Sequence, residues 1–461
     1  LGNRKARVEA IKKAMAYADK ATEKERLFIQ ISYASVIERD TQKSFRLRKE
    51  LIEKFPKEKE AHYDLGWGFQ FRGMYEQSIA EFLKALELDP NMGHAFNGLA
   101  YTYSDMGEYE KAVEYFQKYV AMYPEDANPV DSMAEQYLRM GRLDEALEKY
   151  LQALEMQTDL GSDFRIAYIY ALKEDYPEAM KWIDLFIDHA PSAGIKAEGF
   201  LFRAIYDFML GKKEQAFRDL EKGDEFADEV GNESRKGPLN FVRGCIYFDL
   251  GNFDLSKEYI QKMFDVTFSY YPESQVDKAW HNFFMGLTDV RAGRVVSAKA
   301  SLETMMSYVP DLNPFQAYVT TVRSNWLQAE IWVAEGFPDK AIALLQNHEP
   351  GTVPALEVDY IGPYNIPMIR DTVARAYLKK GDVDGAIAVY EKKITFDPQS
   401  KERRLIHPKY HYLLGKLYEE KGEKAKAIEQ YEVFLEFWKG ADPDMPELGD
   451  AKKRLASLQS N

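Results

Sequence analysis

Residues 93–124 read GHAFNGLAYTYSDMGEYEKAVEYFQKYVAMYP. Apolar residues recur every three or four positions on both sides of Gly107, which is the period of an amphipathic helix. Ala100 and Ala112 lie twelve residues apart and are small enough to let two helices pack closely. Gly107 suits a left-handed turn that ends the first helix, and Pro124 ends the second. The segment predicts a helix, a tight turn and a second helix.

This pattern recurs ten times along the chain. Each copy begins with a small residue: Gly66, Ala100, Ala134, Ala167, Ala204, Gly244, Gly286, Ala329, Ala374 or Gly415. A second small residue follows twelve positions later in each: Ser78, Ala112, Ala146, Ala179, Ala216, Ser256, Ala298, Ala341, Ala386 or Ala427. A glycine lies seven positions after the first small residue in nine copies, whereas the fourth copy has Glu174 at this place. Because so many offsets agree, the sequence predicts ten helix-turn-helix units and an all-α fold.

The pattern resembles the tetratricopeptide repeat, a 34-residue helix-turn-helix unit with small residues at its eighth and twentieth positions. Gly66 and Ser78 match these positions in the first complete unit. The resemblance covers residues 59–441 and implies a right-handed superhelical α-solenoid of about ten repeats with flanking helices. In such an array each repeat buries its apolar face only against its neighbours.

The repeat pattern divides the chain into four parts. Residues 1–58 are expected to form partial or degenerate N-terminal repeats, and residues 59–159 to form three regular repeats. Residues 160–441 hold seven more divergent repeats with longer spacing, and residues 442–461 end in a capping helix. The extra residues of the later repeats, with the longest irregular stretch at 349–364, are expected to form longer turns.

Composition and charge exclude several classes of protein. The 461 residues include 61 Lys and Arg against 75 Asp and Glu, a net charge of −14, which argues against a partner with a phosphate backbone. No stretch approaches the ~20 apolar residues that a membrane-spanning helix needs, so no membrane insertion is expected. A single cysteine, Cys245, excludes an intramolecular disulfide and is expected to be an inert buried thiol.

The two ends of the chain suggest a biological context. The chain begins with Leu1 rather than Met, so we expect a processed or trimmed piece of a longer protein. Residues 21–29 and 431–443 resemble recurring stretches of bacterial regulatory repeat arrays, which follow a kinase, a TolB-like domain or a winged-helix domain. This resemblance implies a bacterial signalling context. We expect a cytoplasmic location or, after processing, an extracytoplasmic or periplasmic one.

The sequence contains no motif that indicates catalysis. It has no Gly-rich phosphate loop, no His-Glu-x-x-His zinc helix and no Gly-x-Ser-x-Gly elbow. Only His407 and His411 have a metal-like i, i+4 spacing, and Pro408 leaves His407 at the start of the helix. We expect a cap histidine and a surface histidine rather than a metal site. The chain is therefore predicted not to be an enzyme and to need no cofactor.

The resemblance implies that the first helix of every repeat lines a concave groove. The corresponding positions are rich in aromatic residues: Tyr63, Trp67, Phe71, Tyr101, Phe164, Tyr168, Phe208, Phe241, Phe248, Trp280, Phe283, Trp326 and Tyr412. Aromatic side chains of this kind anchor interfaces. The alternative is that many of them, above all the phenylalanines, pack against the neighbouring repeat instead. We expect Trp67 and Tyr101 to be partly accessible to solvent and to belong to a binding surface.

These observations favour a non-enzymatic scaffold that docks an extended or helical protein or peptide segment along the aromatic groove. The alternative is a regulatory or sensor module of a larger bacterial signalling protein. Chaperone-binding members of the family use a cationic clamp for a peptide carboxylate. This chain has Tyr63, Trp67, Gly98, Asn128 and Ser132 at the corresponding places, so a chaperone tail is not expected. The sequence does not indicate the oligomeric state.

Overall fold

The structure is a computed structural model that describes residues 4–38, 40–158, 160–229, 231, 233–346, 370–397 and 405–460. These residues form 24 α-helices and no strand, which confirms the predicted all-α fold. The irregular stretch at residues 349–364 lies outside the described residues. Within the described ranges, no helix is long and apolar enough to cross a membrane.

Three helices precede the regular repeats: α1 (Arg4–Ala16), α2 (Glu23–Tyr33) and α3 (Thr41–Lys54). The next helices form repeats one to five as the pairs α4 (Lys59–Gln70) and α5 (Tyr75–Leu88), α6 (Gly93–Asp105) and α7 (Tyr109–Met122), α8 (Ala127–Arg139) and α9 (Leu143–Met156), α10 (Asp163–Leu172) and α11 (Tyr176–His189), α12 (Ala193–Met209) and α13 (Lys213–Glu229). Repeats six to ten are the pairs α14 (Lys236–Asp249) and α15 (Phe253–Tyr270), α16 (Gln275–Arg291) and α17 (Val295–Ser307), α18 (Pro314–Glu335) and α19 (Pro338–Leu345), α20 (Thr372–Lys380) and α21 (Val383–Lys393), α22 (Lys409–Glu420) and α23 (Lys424–Phe437). The last helix is α24 (Pro446–Ser460).

The turn inside each repeat has the predicted left-handed conformation. All nine turn glycines have φ angles between 69° and 84°: Gly73, Gly107, Gly141, Gly211, Gly251, Gly293, Gly336, Gly381 and Gly422. Glu174 takes the same conformation in repeat four, with φ at 61°, and no other described non-glycine residue has a positive φ. The backbone therefore keeps the turn even where the sequence has no glycine. The left-handed conformation is strained at this residue because Glu174 has a Cβ atom.

Small residues are required where a large side chain of one helix lies between two others. Phe82 on α5 is fully buried. A Cβ atom on Gly66 of α4 would lie 2.8 Å from its ring, and one on Gly98 of α6 would lie 2.5 Å from it. Both distances are too short for a carbon–carbon contact. This close packing explains why the eighth position of repeat one is a glycine.

The extra residues of the later repeats do not all form longer turns. Helices α12, α13 and α16 have 17 residues each, α15 has 18 and α18 has 22, against 13 and 14 in repeat two. The prediction of longer turns is wrong at these places because the added residues extend helices, where each satisfies its own backbone hydrogen bonds.

The described contacts divide the chain into two compact units. One contains Leu1–Tyr137 and Leu312–Ala317, and the other contains Leu138–Asp311 and Tyr318–Asn461. Within the second unit, repeat ten contacts repeats four to six as well as its neighbours. The Trp438 indole Nε1 donates to the Met209 carbonyl at 3.0 Å, across 229 positions of sequence. The prediction that each repeat packs only against its neighbours is wrong for repeat ten.

Candidate functional site: an aromatic surface on repeats one and two

Four predicted groove residues lie together in the first unit. Tyr63, Trp67 and Phe71 follow one face of α4 at four-residue spacing, and Tyr101 lies on α6. The Trp67 ring stacks on Phe71, with centroids 5.8 Å apart, and lies 6.3 Å from Tyr101. Phe71 is 70% exposed, and the other three are half-buried. We call these four residues the aromatic surface.

The aromatic surface rests directly on the core. The rings of Tyr63 and Trp67 lie 5.8 Å and 5.6 Å from that of the buried Phe82. The Tyr101 ring meets the fully buried Phe116 edge-on at 5.1 Å. Tyr63 and Trp67 therefore take part in packing as well as in the aromatic surface. Phe71 has no such contact with Phe82 and projects into solvent.

The border of the aromatic surface is acidic. The Tyr101 hydroxyl donates to Glu135 Oε2 at 3.2 Å, and Gln70 Nε2 donates to Asp105 Oδ2 at 2.9 Å. Arg72 follows Phe71 in the chain, and its guanidinium lies over the Phe45 ring at 3.9 Å. Glu135 is thus a carboxylate in direct contact with the aromatic surface, through the Tyr101 hydroxyl.

Titratable groups beneath α4 are partly desolvated. Burial raises the pKa of Asp64, which the nearby Arg48 lowers in part. Burial also lowers the pKa of the Arg48 guanidinium, and its Nε atom is buried without a hydrogen-bond partner. Arg48 is thus the cation that partly offsets the desolvation of the Asp64 carboxylate.

Two amide side chains next to the aromatic surface were missed by the sequence analysis. The Gln70 Oε1 atom is buried without a partner, and so is the Asn97 Oδ1 atom on α6. Gln70 and Asn97 occupy positions on the first helix of their repeats that line the groove in this family, as the aromatic residues do. The same resemblance therefore also indicated these two amides. Amides of this kind are suited to hydrogen bonds with the backbone of a bound segment.

The remaining predicted groove residues lie in the second unit and divide into two groups. Four are half-buried: Phe164, Tyr168, Phe241 and Trp280. Five are buried, with exposed fractions of 2–8%: Phe208, Phe248, Phe283, Trp326 and Tyr412. The buried five are core residues, which corrects the expectation that they line an open groove.

Neighbouring elements account for the burial in this second group. The Phe208 ring lies 6.4 Å from that of His407, which precedes α22 of repeat ten. The Tyr412 hydroxyl donates to Asp450 of α24 at 2.8 Å. Residues later in the chain therefore contact Phe208 and Tyr412, which the sequence pattern places in an open groove.

Comparison with known families decides what these repeats are. Sequence models described as tetratricopeptide repeat match residues 63–127, 132–194, 238–267 and 374–446, which together make up half of the chain. The chain belongs to the tetratricopeptide repeat family. These matches confirm the prediction that the chain is an array of tetratricopeptide repeats.

Several solved structures are similar in part to this tetratricopeptide repeat chain. Yeast Tom70 is 15% identical, with 89% of this chain and 96% of that chain covered and a TM-score of 0.38. MamA from Desulfovibrio magneticus RS-1 is 20% identical over 35% of this chain and 93% of that chain, with a TM-score of 0.31. YrrB, described as a TPR protein with an unusual peptide-binding site, is 19% identical over 39% and 91%, with a TM-score of 0.28. Such low scores add no argument about function. Comparison with curated proteins gives no significant match.

The histidines of repeat ten differ from expectation. His407 is fully buried and His411 is 6% exposed, so neither is a surface residue of this tetratricopeptide repeat array. The His407 Nδ1 atom accepts a hydrogen bond from the Lys409 amide at 3.3 Å, which matches the predicted place at the start of the helix. Among the described residues, no group of three or more His, Cys, Asp or Glu side chains is arranged to hold a metal ion. Cys245 is buried, as predicted.

Buried carboxylates of the second unit take part in ion pairs between repeat helices. Asp289 accepts from Lys257 Nζ at 2.7 Å and from Arg294 Nε at 2.8 Å, and these partners lower its pKa. Asp207 has a weaker partner, Lys212 Nζ at 3.5 Å, and burial raises its pKa to about 6. The pair of Lys257 and Asp289 therefore joins repeats six and seven, whereas the pair of Asp207 and Lys212 lies within repeat five.

Proposed function

We propose that this chain is a non-enzymatic scaffold that binds a protein or peptide segment on the aromatic surface. The observation that carries the proposal is Phe71, a large apolar side chain that is 70% exposed and stacked on Trp67. A clustered, exposed aromatic patch on a protein usually marks an interaction site. Membership in a family of helical repeats supports the same role.

The chemistry of the surface favours a particular kind of segment. The exposed Phe71 ring and the half-buried Trp67 ring offer apolar contact and π faces, and the Glu135 carboxylate contacts the neighbouring Tyr101 hydroxyl. A lysine or arginine placed over an aromatic ring gains a cation–π contact, and a nearby carboxylate adds to the attraction. We infer that the partner segment carries an apolar side chain next to a basic one.

Selection of peptides on the intact chain tests this proposal. Random peptides displayed on phage are selected against the wild-type chain and then measured on Phe71→Ser and on a matched variant, Phe337→Ser. Phe337 is 48% exposed at the turn of repeat eight, so this control removes a similar exposed ring far along the sequence. We expect selected peptides rich in Lys or Arg beside an apolar residue, and binding that Phe71→Ser abolishes and Phe337→Ser preserves. Peptides that bind both variants equally well would contradict the proposal.

One observation favours the alternative, a regulatory module of a larger bacterial signalling protein. Part of the stretch that resembles bacterial regulatory arrays, Trp438 to Asp442, contacts repeat five of the same chain. This stretch resembles one that recurs in regulatory arrays, and here it contacts another repeat of the same chain. Both observations suit a protein whose conformation is regulated. The two functions are compatible, since a regulatory module also needs a binding surface.

A further inference from the structure

The segment after α23 contacts the turn of repeat five, within the second unit. Trp438 is fully buried, and its indole Nε1 donates to the Met209 carbonyl at 3.0 Å. The Asp442 amide donates to the Gly211 carbonyl at 3.0 Å. Lys213, the first residue of α13, forms an ion pair with Asp444. We call residues 438–444 the latch segment.

The turn glycine at this contact differs from the others. A Cβ atom on Gly211 would lie 2.6 Å from the Ala441 Cβ and 2.8 Å from the Trp438 ring. The same test finds nothing within 4 Å at seven other turn glycines: Gly73, Gly107, Gly251, Gly293, Gly336, Gly381 and Gly422. The latch segment therefore covers the turn of repeat five so closely that only a glycine fits there.

The latch segment also caps a helix of repeat five. The Asp442 Oδ2 atom accepts a hydrogen bond at 2.8 Å from the Glu214 amide in the first turn of α13. In repeats four and six the same kind of bond comes from the repeat itself, through Asp175 for α11 and Asn252 for α15. Repeat five thus receives from repeat ten a cap that its neighbours make for themselves.

A second contact lies next to the first and is charged. Lys409 Nζ of α22 lies 2.5 Å from Asp249 Oδ2 at the end of α14 and 2.9 Å from Glu447 Oε1. The side chains of Lys409 and Asp249 are both more than nine-tenths buried. A buried ion pair of this kind fixes which surfaces meet more than it adds to stability. It indicates that the position of repeat ten against repeats five and six is specific.

Repeats nine and ten with α24 have a core of their own. Buried residues of all three form one cluster that includes Tyr390, Tyr431, Phe434, Leu448 and Ala451. Leu250 of repeat six is a partly buried side chain packed against this cluster. Trp438 belongs to the same cluster, so the latch segment begins in the core of these C-terminal helices and reaches from there to the turn of repeat five.

We propose that the turn of repeat five is a binding site for a segment with an indole followed four residues later by a carboxylate, and that residues 438–444 occupy it as a releasable latch. The closed state covers the Met209 carbonyl, at the end of the inner helix α12. Release exposes this edge and removes the cap from α13. The latch lies in a different unit from the aromatic surface and does not depend on the proposed function of that surface.

Two matched glycine variants test the latch on the intact chain. Gly211→Ala and Gly293→Ala impose the same left-handed strain, at φ angles of 75° and 79°, but only the first collides with Trp438 and Ala441. We measure hydrogen exchange in peptides that cover residues 209–216 and 434–445. We expect exchange at least about tenfold faster in both peptides for Gly211→Ala and no change for Gly293→Ala. Equal exchange in the two variants would overturn the latch.

If Gly211→Ala disturbs folding of the chain more widely, hydrogen exchange will also be faster in repeat seven. In that case a second pair of variants tests the latch. Asp442→Ala removes the cap on the Glu214 amide, whereas Asp444→Ala removes only the exposed ion pair with Lys213. We expect faster exchange at residues 213–216 for Asp442→Ala and little effect for Asp444→Ala. A synthetic peptide of residues 434–445, added in excess to the Asp442→Ala chain, should restore protection, and the same peptide with Asp442→Ala should not. Failure of the first peptide to protect would overturn the binding site.

Discussion

Replacement of Glu174 by glycine should stabilise repeat four, because Glu174 is the described non-glycine residue that adopts the left-handed turn conformation, with φ at 61°. This conformation costs a residue with a Cβ atom about 1–2 kcal/mol. Partial desolvation raises the pKa of the Glu174 carboxyl, but the residue is exposed, so we assign no cost to its charge. Glycine relieves the backbone strain but gives the unfolded chain more freedom, worth about 0.5–1 kcal/mol in the opposite direction. The net expectation is a gain of about 0.5–1 kcal/mol.

Native-state hydrogen exchange of α10 and α11 measures this gain locally, since repeat arrays need not unfold in a single step. The matched control is Lys173→Gly, one position earlier, where φ is −85° and there is no strain to relieve. We expect Lys173→Gly to lose about 0.5–1 kcal/mol from the added freedom of the unfolded chain. If Glu174→Gly exchanges as fast as the wild type or faster, the turn is not strained and the reasoning fails.

Three further predictions concern pH, packing and charge. Burial lowers the pKa of His407 from 6.5 to about 4. As pH falls through this window the unfolded chain gains a proton that the folded chain excludes, so stability should drop by up to about 3 kcal/mol. Urea titrations at pH 7 and pH 4.5 should show a smaller drop for His407→Gln, although Asp207, whose pKa burial raises to about 6, acts in the opposite direction in both proteins. Ala112→Leu should destabilise the chain by about 1–3 kcal/mol, measured by chemical denaturation, because Ala112 is fully buried between packed helices. The chain should bind DNA no more tightly than about 10⁻⁶ M at physiological salt, because it has a net charge of −14 and Arg454 is paired with Asp450 and Glu419; tight binding in a fluorescence titration would refute this.

Much of the fold follows from short-range spacing. The glycine at a fixed offset predicts the left-handed turn, and φ angles of 69–84° at nine positions confirm it. The small residues predict close helix packing, and the ring of Phe82 between Gly66 and Gly98 supplies the reason. These features depend on residues within one repeat or the next, so a repeating sequence displays them many times.

The contact between repeat ten and repeat five could not be predicted in the same way. Trp438 and Met209 are 229 positions apart, and their meeting depends on the rotation accumulated over five repeats. Small differences in the rotation between successive repeats add up along the array, so spacing within one repeat does not predict this contact. For this reason Phe208 is predicted to be a groove residue from spacing but is buried in the structure. Phe71 reads correctly as exposed because only nearby helices decide its surroundings.

Affinity and stability measured together on Phe71→Ala test the binding surface most directly. The probe is the tightest peptide obtained by selection on the wild-type chain, with Phe82→Ala as the control for a core aromatic residue. We predict that Phe71→Ala weakens peptide binding about thirtyfold, the cost of about 2 kcal/mol for an interface anchor. Its stability should change by less than about 0.5 kcal/mol, because the side chain is 70% exposed. Phe82→Ala should cost about 3–5 kcal/mol of stability. Unchanged peptide affinity in Phe71→Ala, or a loss of stability close to that of Phe82→Ala, would contradict a binding role for the aromatic surface.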